Sequence, residues 1–109
     1  MSDDIVAQLS SLISARRKAP ADASYTRQLL DAGLERCARK FGEEAIEAVI
    51  AALGTDRAAL EDEAADVIYH LLVLLEAKGI AWSDVTQLLA RRMARSGLAE
   101  KAARSKTTG

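Results

Sequence analysis

Apolar residues recur at intervals of three and four along almost the whole chain, and no run alternates apolar with polar residues as a half-buried strand does. This spacing places apolar side chains on one face of an α-helix, so the sequence predicts an all-α fold. Only one proline interrupts the pattern. With 109 residues the chain fits a single domain, residues 1–109, and we predict a helical bundle of four main helices plus a short one.

Capping residues and helix breakers set the predicted helix boundaries. Ser2 and Ser24 are expected to cap the first and second helices, and Pro20 follows the end of the first. A glycine follows each of the next three helices, as is common at helix C-termini. The predicted helices begin at about residue 3 and end at 17 or 18, then span 25–32, 34–53, 57–78 and 82–95, and the tail from about residue 98 is expected to be mobile.

The run from Val67 to Leu75 is apolar nearly all round, although it contains Tyr69 and His70, so we predict that it is buried on every side. A chain this short buries only a limited fraction of its own surface. We therefore predict a homo-oligomer, most simply a dimer. The run is far shorter than the ~20 residues of a membrane span, so no membrane partner is expected. The apolar stripe of the preceding helix consists of Ile46, Val49, Ile50 and Leu53.

The overall charge is near zero, with 15 basic and 16 acidic side chains, and it gives no reason to expect a nucleic acid as partner. The single cysteine, Cys37, cannot form a disulfide within the chain, which fits a reducing cytosol. The N-terminal segment has acidic residues and no long apolar run, so no secretory signal is expected and we predict a cytoplasmic protein.

Acidic residues recur at helical spacing on both long helices. Glu44 and Glu47 lie ~60° apart around the first of them, and Glu63 and Asp66 repeat this spacing on the second. The connection around Gly54 is short, and short connections join antiparallel neighbours. The four carboxylates are therefore expected to meet in one cluster.

Four carboxylates at close range repel one another unless some are protonated or a cation lies among them. Oxygen ligands suit Mg²⁺, Mn²⁺ or Ca²⁺, and Mg²⁺ is usually held by a few carboxylates together with substrate phosphates. The residues thus predict a metal site open to a phosphorylated ligand. A di-iron site is disfavoured, because it needs Glu-x-x-His motifs on two helices and the chain has one histidine.

The segment EEAIE at residues 43–47, followed by EDEAAD at residues 61–66, resembles the EExxE…ExxD motif of the MazG-like all-α nucleoside triphosphate pyrophosphatases. Three longer segments narrow the resemblance to the phosphoribosyl-ATP pyrophosphohydrolase family, and the match runs from about Ser24 to Lys106. They are SYTRQLLDAGLERCARKFGEEAIEAVIAAL, EAADVIYHLLVLL and SGLAEKAARSK. The resemblance implies a MazG-like bundle that hydrolyses phosphoribosyl-ATP to phosphoribosyl-AMP and pyrophosphate, the second step of L-histidine biosynthesis.

The resemblance also implies roles for the acidic residues. The implied Mg²⁺ ligands are Glu44, Glu47, Glu63 and Asp66, and the candidates for accepting the proton of the attacking water are Glu43, Glu44 and Glu47. Some members of the family are fused to a phosphoribosyl-AMP cyclohydrolase, whose zinc site needs cysteine and histidine residues. This chain has one of each, so a separate cyclohydrolase is expected as its pathway partner.

Each candidate substrate-binding residue has two interpretations. Lys40, one turn before the first acidic pair, either contacts a phosphate or forms an ion pair on its own helix. Tyr25 either stacks on adenine or donates to a phosphate, or it is a packed aromatic. His70 either binds phosphate or orients a carboxylate ligand, or it is a satisfied core residue. Arg95 and Lys101 either close over the polyphosphate or belong to a solvated basic tail.

Two other functions fit the same residues. The first is a housecleaning pyrophosphatase for ordinary or damaged nucleoside triphosphates, with the same metal chemistry and a different pocket. The second is a non-enzymatic helical dimerisation module, since an acidic pair on one helix face is by itself more often a solvated surface. The resemblance favours the phosphoribosyl-ATP pyrophosphohydrolase over both.

Overall fold

The helices of the chain enclose a small core at one end of a long helical hairpin. A computed structural model describes residues 4–95. Within that range the chain forms five α-helices and two short 3₁₀ turns, and it contains no strand. The all-α prediction and the arrangement of four main helices plus a short one are confirmed. The helices are α1 (Ile5–Ala15), α2 (Tyr25–Ala32), α3 (Leu34–Leu53), α4 (Arg57–Lys78) and α5 (Trp82–Ala94), and the 3₁₀ turns are Arg16–Lys18 and Ala21–Ala23.

Local capping explains where the central helices begin. The hydroxyl of Ser24 accepts the backbone N–H of Arg27 at the start of α2, as predicted. The carboxylate of Asp56 accepts the N–H of Ala59 at the start of α4. Gly33 joins α2 to α3 with a φ of 103°, a conformation that residues with a Cβ rarely adopt. The bounds of α2, α3 and α4 therefore agree with the prediction.

The start of the first helix differs from the prediction. Asp4 is the N-cap of α1, and its Oδ1 accepts the N–H groups of Val6 and Ala7. Ser2 lies outside the described residues, but Asp4 is extended and directly precedes the first helical residue, so the prediction that the first helix begins at about residue 3 is wrong. An aspartate caps a helix about as well as a serine does, and both residue types occur here within three positions.

The helices α3 and α4 make the most extensive contact between helices in the described part of the chain. Only Gly54, Thr55 and Asp56 connect them, so they pack as an antiparallel hairpin. In such a hairpin, residues at equal distances from the turn lie opposite each other. Glu44 lies ten residues before Gly54 and Asp66 lies ten residues after Asp56, which places these two acids side by side.

The core lies where α1, α2 and α3 meet the second half of α4. The side chain of Cys37 is buried there, and its thiol donates to the backbone oxygen of Leu29 at 3.3 Å. Burial raises the pKa of this thiol, so Cys37 is a neutral core residue. The buried apolar side chains are Ile13, Leu29, Cys37, Leu72 and Val73.

The half of the hairpin near its turn is not covered by α1 or α2. The stripe on α3 is 60 to 84% exposed at Ile46, Val49, Ile50 and Leu53. On α4, Leu72 and Val73 are buried, but Ile68 is 41% exposed. Burial of the whole run Val67 to Leu75 is therefore not achieved by one chain. None of the helices described is long and apolar enough to cross a membrane.

Candidate metal centre

Three carboxylates from the two helices of the hairpin come together. Glu44 of α3 and Glu63 and Asp66 of α4 each offer an oxygen atom, and these atoms lie within 4.8 Å of one another. Glu44 is only 9% exposed, whereas Asp66 is open to solvent. These three side chains are here called the acidic cluster. The cluster is buried at Glu44 and open to solvent at its Asp66 edge. A ligand can approach from that edge.

Glu47, the fourth predicted member, lies beside the cluster. It is not among the three residues whose oxygens come within 4.8 Å of one another. It lies close enough to Glu63 for its charge to raise the pKa of that carboxyl group, in addition to the larger effect of burial. The i, i+3 spacing correctly placed Glu47 on the same side of α3 as Glu44. Its role as a ligand stays a prediction.

The electrostatics of Glu63 fit a cation. Its Oε1 is buried and has no hydrogen-bond partner in the described structure. Burial raises the pKa of this carboxyl, and the charges of Glu47, Glu44 and Asp66 raise it further. An unpaired buried carboxylate oxygen among like charges is the arrangement that a hard divalent cation relieves. The residues present therefore fit a metal ion held by oxygen ligands.

Lys40 lies at the edge of the cluster. Its Nζ is 3.5 Å from Oε1 of Glu43 and 3.7 Å from Oε2 of Glu44. The pKa of Lys40 is raised, first by the negative charge that Tyr25 carries when ionised and then by Glu43 and Glu44. The ion-pair interpretation of Lys40 is thus present in the structure. Its position next to Glu44 also places an ammonium group at the edge of the acidic cluster.

An aromatic patch made of Tyr25, Tyr69 and His70 adjoins the acids. The ring centroids of Tyr69 and His70 are 4.9 Å apart, and the ring of Tyr25 lies 6.4 Å from Tyr69 and 6.3 Å from His70. The hydroxyl groups of Tyr69 and Thr26 share a hydrogen bond. Tyr25 is 51% exposed, so it is an open ring rather than a packed core aromatic.

His70 is the buried member of this aromatic patch. Burial lowers its pKa, against the opposing charges of Glu44 and Asp66, so the imidazole is neutral at pH 7. Its Nδ1 is buried without a hydrogen-bond partner among the described residues. The interpretation of His70 as a satisfied core residue therefore does not match this structure. A polar atom of this kind is available to a ligand or to a metal-bound carboxylate.

The remaining candidates lie further out. Glu43 is exposed and paired with Lys40. Arg95 is exposed and ends α5, a helix that packs mainly on α1. Lys101 lies outside the described residues. Tyr69 was missed as part of the site, although it precedes His70 and lies one turn after Asp66 on α4.

A helical hairpin that brings a buried glutamate of one helix against an acidic pair of the next places the chain in the MazG-like class of all-α proteins. The model of the family described as phosphoribosyl-ATP pyrophosphohydrolase matches residues 6–93. The chain belongs to this family.

Relatives are similar over nearly their whole length. The phosphoribosyl-ATP pyrophosphatase of Azorhizobium caulinodans is 51% identical over 98% of this chain and 100% of that protein. The protein of the same name from Ruegeria pomeroyi is 54% identical over 94% of this chain and 97% of its own length. Phosphoribosyl-ATP pyrophosphatase 1 of Bradyrhizobium diazoefficiens is 55% identical over 88% of this chain and 91% of its own length.

Proposed function

We propose that this protein hydrolyses phosphoribosyl-ATP to phosphoribosyl-AMP and pyrophosphate, the second step of L-histidine biosynthesis. Relatives that match it over nearly their full length carry the name of this activity. The observation that carries the proposal is the acidic cluster of Glu44, Glu63 and Asp66, because it offers oxygen ligands at an open edge beside a lysine and an aromatic patch. A polyphosphate, a cation and a purine all find suitable partners there.

We propose Mg²⁺ as the cation, with Glu44, Glu63 and Asp66 as ligands and Glu47 as a fourth. The unpaired Oε1 of Glu63 and the proximity of Glu47 to it support this set. When bound, Mg²⁺ screens the charge of a triphosphate and polarises its phosphoryl oxygens. The donors are all carboxylates, which Mg²⁺ prefers over the nitrogen and sulfur ligands that zinc takes.

The chain's own residues handle the proton and the leaving group. A water attacks the α-phosphorus, and a carboxylate takes its proton; Glu43, Glu44 and Glu47 are the candidates. Glu43 and Glu47 are exposed to solvent, whereas Glu44 is buried beside Lys40. The bond from the α-phosphorus to the bridging oxygen then breaks and releases pyrophosphate. The ammonium group of Lys40 stabilises the charge that develops on this leaving group.

The aromatic patch is the proposed binding site for the adenine of the substrate. The half-exposed ring of Tyr25 offers a face on which adenine stacks, and Lys40 lies beside Glu43 and Glu44 within the electrostatic influence of that ring. The buried Nδ1 of His70 has no hydrogen-bond partner within residues 4–95, so we assign it a hydrogen bond to substrate or to a ligand carboxylate. Arg95 and Lys101 remain predicted contacts of the polyphosphate.

The proposal extends to location and partners. We propose that residues 1–109 act as one cytoplasmic domain beside a separate phosphoribosyl-AMP cyclohydrolase. Residues 1–109 contain one cysteine and one histidine, too few for the zinc site of a cyclohydrolase, so this domain does not supply that activity itself.

The direct test is pyrophosphate release from phosphoribosyl-ATP, dUTP and dCTP, each with and without Mg²⁺. We expect turnover of phosphoribosyl-ATP that requires Mg²⁺ and exceeds that of either deoxynucleotide. A preference for the deoxynucleotides would make the protein a housecleaning pyrophosphatase. No Mg²⁺-dependent turnover of any of the three would favour the dimerisation module.

We also propose a homodimer in which α3 contributes its exposed stripe. Ile46, Val49, Ile50 and Leu53 form a continuous apolar row that one chain leaves open. Apolar rows of this kind mark protein–protein contacts. In a twofold dimer each substitution acts twice, because the same face occurs on both subunits.

The substitution Ile50→Glu is expected to weaken the dimer by about 100-fold or more. Loss of one buried isoleucine costs about 1.5–3 kcal/mol, and the symmetric contact doubles that cost. Light scattering over a dilution series measures the change. The matched control is Ile5→Glu, an equally exposed isoleucine at the start of α1. A parent protein that is monomeric at micromolar concentration would contradict the dimer itself.

A further inference from the structure

A second concavity adjoins the aromatic patch, because Tyr25 and Tyr69 line it. It has a volume of about 260 Å³ and lies between α1, both 3₁₀ turns, α2 and α4. Leu9 and Leu12 of α1 form one apolar wall. The polar side chains that line it, here called the Arg16 pocket, are Arg16, Ser24, Tyr25, Thr26 and Tyr69.

The Arg16 pocket and the acidic cluster share the aromatic patch as a common wall. Tyr25 and Tyr69 line the pocket, and both rings pack on His70. His70 in turn lies within the field of Glu44 and Asp66. Tyr69 follows Asp66 by one helical turn, a rise of about 4.5 Å along α4. A molecule that spans the patch can therefore contact the acids at one end and the pocket at the other.

The pocket contains a cation, Arg16, that pairs with no acid in the described part of the chain. Arg17 pairs with Glu76 and Arg27 pairs with Asp31, but Arg16 forms no ion pair with any carboxylate of residues 4–95. Arg16 lines the same pocket as Tyr69. Burial raises the pKa of the Tyr69 phenol, and the hydrogen bond with Thr26 and the charge of Arg16 lower it. A guanidinium with five N–H donors and no carboxylate partner within residues 4–95 matches a phosphate group well.

A hydroxyl donor lies in the same pocket. The Oγ of Ser24 accepts the N–H of Arg27, which leaves its own hydroxyl proton to donate elsewhere. The phenol of Tyr25 lines the pocket too, and half of its surface is open to solvent. Arg16, Ser24 and Tyr25 thus offer donors to one anion, whereas no acidic side chain lines the pocket in the part of the chain described.

Phosphoribosyl-ATP has two anionic ends. The triphosphate is at one end, and the phosphate of the additional ribose is at the other, with the two riboses and adenine between them. The acidic cluster takes a polyphosphate only through a cation, while the Arg16 pocket attracts a phosphate directly. In the substrate, adenine lies between the two anionic ends. In the protein, Tyr25 lines the Arg16 pocket and also contacts His70 of the aromatic patch.

We propose that the Arg16 pocket binds the 5′-phosphate of the additional ribose, with Arg16 as the residue that distinguishes phosphoribosyl-ATP from ordinary nucleoside triphosphates. The inference rests on the proposed function, since it assigns the second end of that substrate. An ordinary triphosphate lacks this phosphate and gains nothing from Arg16. Arg16 is thus a substrate-binding residue that sets KM and not the rate of bond breakage.

The test compares two variants and two ligands. Arg16→Gln removes the charge, and Lys18→Gln is the matched control, an exposed cation on the same 3₁₀ turn that does not line the pocket. Phosphoribosyl-AMP carries the additional phosphate and AMP does not. Calorimetric titration gives the ratio of the two dissociation constants, AMP over phosphoribosyl-AMP, without any catalytic step.

We expect Arg16→Gln to lower this ratio by about 10- to 100-fold, the range for loss of a charge-assisted hydrogen bond, while Lys18→Gln leaves it unchanged. In the pyrophosphate assay the KM for phosphoribosyl-ATP should rise by the same factor with kcat little changed. Circular dichroism confirms that both variants fold, as exposed positions permit. An unchanged ratio in Arg16→Gln would overturn the pocket assignment even if the enzyme is active, whereas absent hydrolysis in the parent would overturn the function instead.

Discussion

Asp66→Asn is expected to lower the rate of pyrophosphate release by roughly 10²- to 10³-fold or more while the protein stays folded. Asparagine keeps the shape of the side chain and removes the charge that a Mg²⁺ ligand supplies. Asp66 is exposed and near Glu44 and Glu63, so its replacement opens no cavity and reduces repulsion between carboxylates. Initial rates at saturating Mg²⁺ and substrate measure the loss, and Glu44→Gln is expected to behave in the same way.

The matched control is Glu61→Gln. Glu61 lies on the same helix, two residues before Glu63, but it points to solvent and pairs with Arg57 at 3.1 Å. An exposed pair at i, i+4 contributes only about 0.3–0.5 kcal/mol, so this variant should retain parental activity. Parental rates in both Asp66→Asn and Glu44→Gln would show that the acidic cluster is not the metal site. They would also indicate that these acids are an ordinary solvated surface of the helices.

The parts of the fold that local chemistry controls were predictable. Ser24 and Asp56 cap the helices that follow them, and Gly33 and Gly79 have positive φ values where α2 and α4 end. These signals act over a few residues, so one sequence suffices to find them. The choice between Ser2 and Asp4 as the first cap is a choice between two good local solutions, and the periodic pattern does not discriminate between them.

The acidic cluster was predictable because two simple facts locate it. The i, i+3 spacing fixes which face of a helix two acids share, and the connection of three residues makes the helices antiparallel. The position of Glu47 beside Glu63, outside the set of three close oxygens, was not predictable. It depends on the rotation of α3 about its own axis and on its side-chain rotamer, which the contact with α4 decides.

The Arg16 pocket needed the tertiary structure. Its walls come from three helices and two 3₁₀ turns, and Leu9 and Tyr69 lie 60 positions apart in the chain. The sequence showed Arg16 only as one of three consecutive basic residues after α1. Whether such a residue faces an acid, as Arg17 does, or an open pocket depends on where the chain returns.

Mg²⁺ is expected to raise the midpoint of thermal unfolding at pH 7.5 by about 6–10 °C when its concentration is ten times its dissociation constant. Binding to the folded state alone adds about 1.4 kcal/mol at that ratio, and 1 kcal/mol shifts the midpoint of a domain of this size by about 4–8 °C. Glu63 and its neighbours exist as repelling anions without the ion, and the ion reverses that repulsion. Differential scanning calorimetry with and without Mg²⁺ measures the shift, and Na⁺ at equal ionic strength separates it from general screening.

The stability of the metal-free protein is expected to depend on pH through Glu63. The folded state raises the pKa of Glu63 above its unfolded value, so the folded protein binds more protons between the two values. Stability contributed by Glu63 therefore falls as pH rises through that window, and it is restored at neutral pH only by a cation. Glu63→Gln removes both behaviours: its midpoint should exceed that of the metal-free parent at pH 7.5 and should respond little to Mg²⁺. A variant that still gains the full shift from Mg²⁺ would mean that the ion binds elsewhere, because a glutamine in place of Glu63 leaves only two of the three clustered carboxylates to hold it.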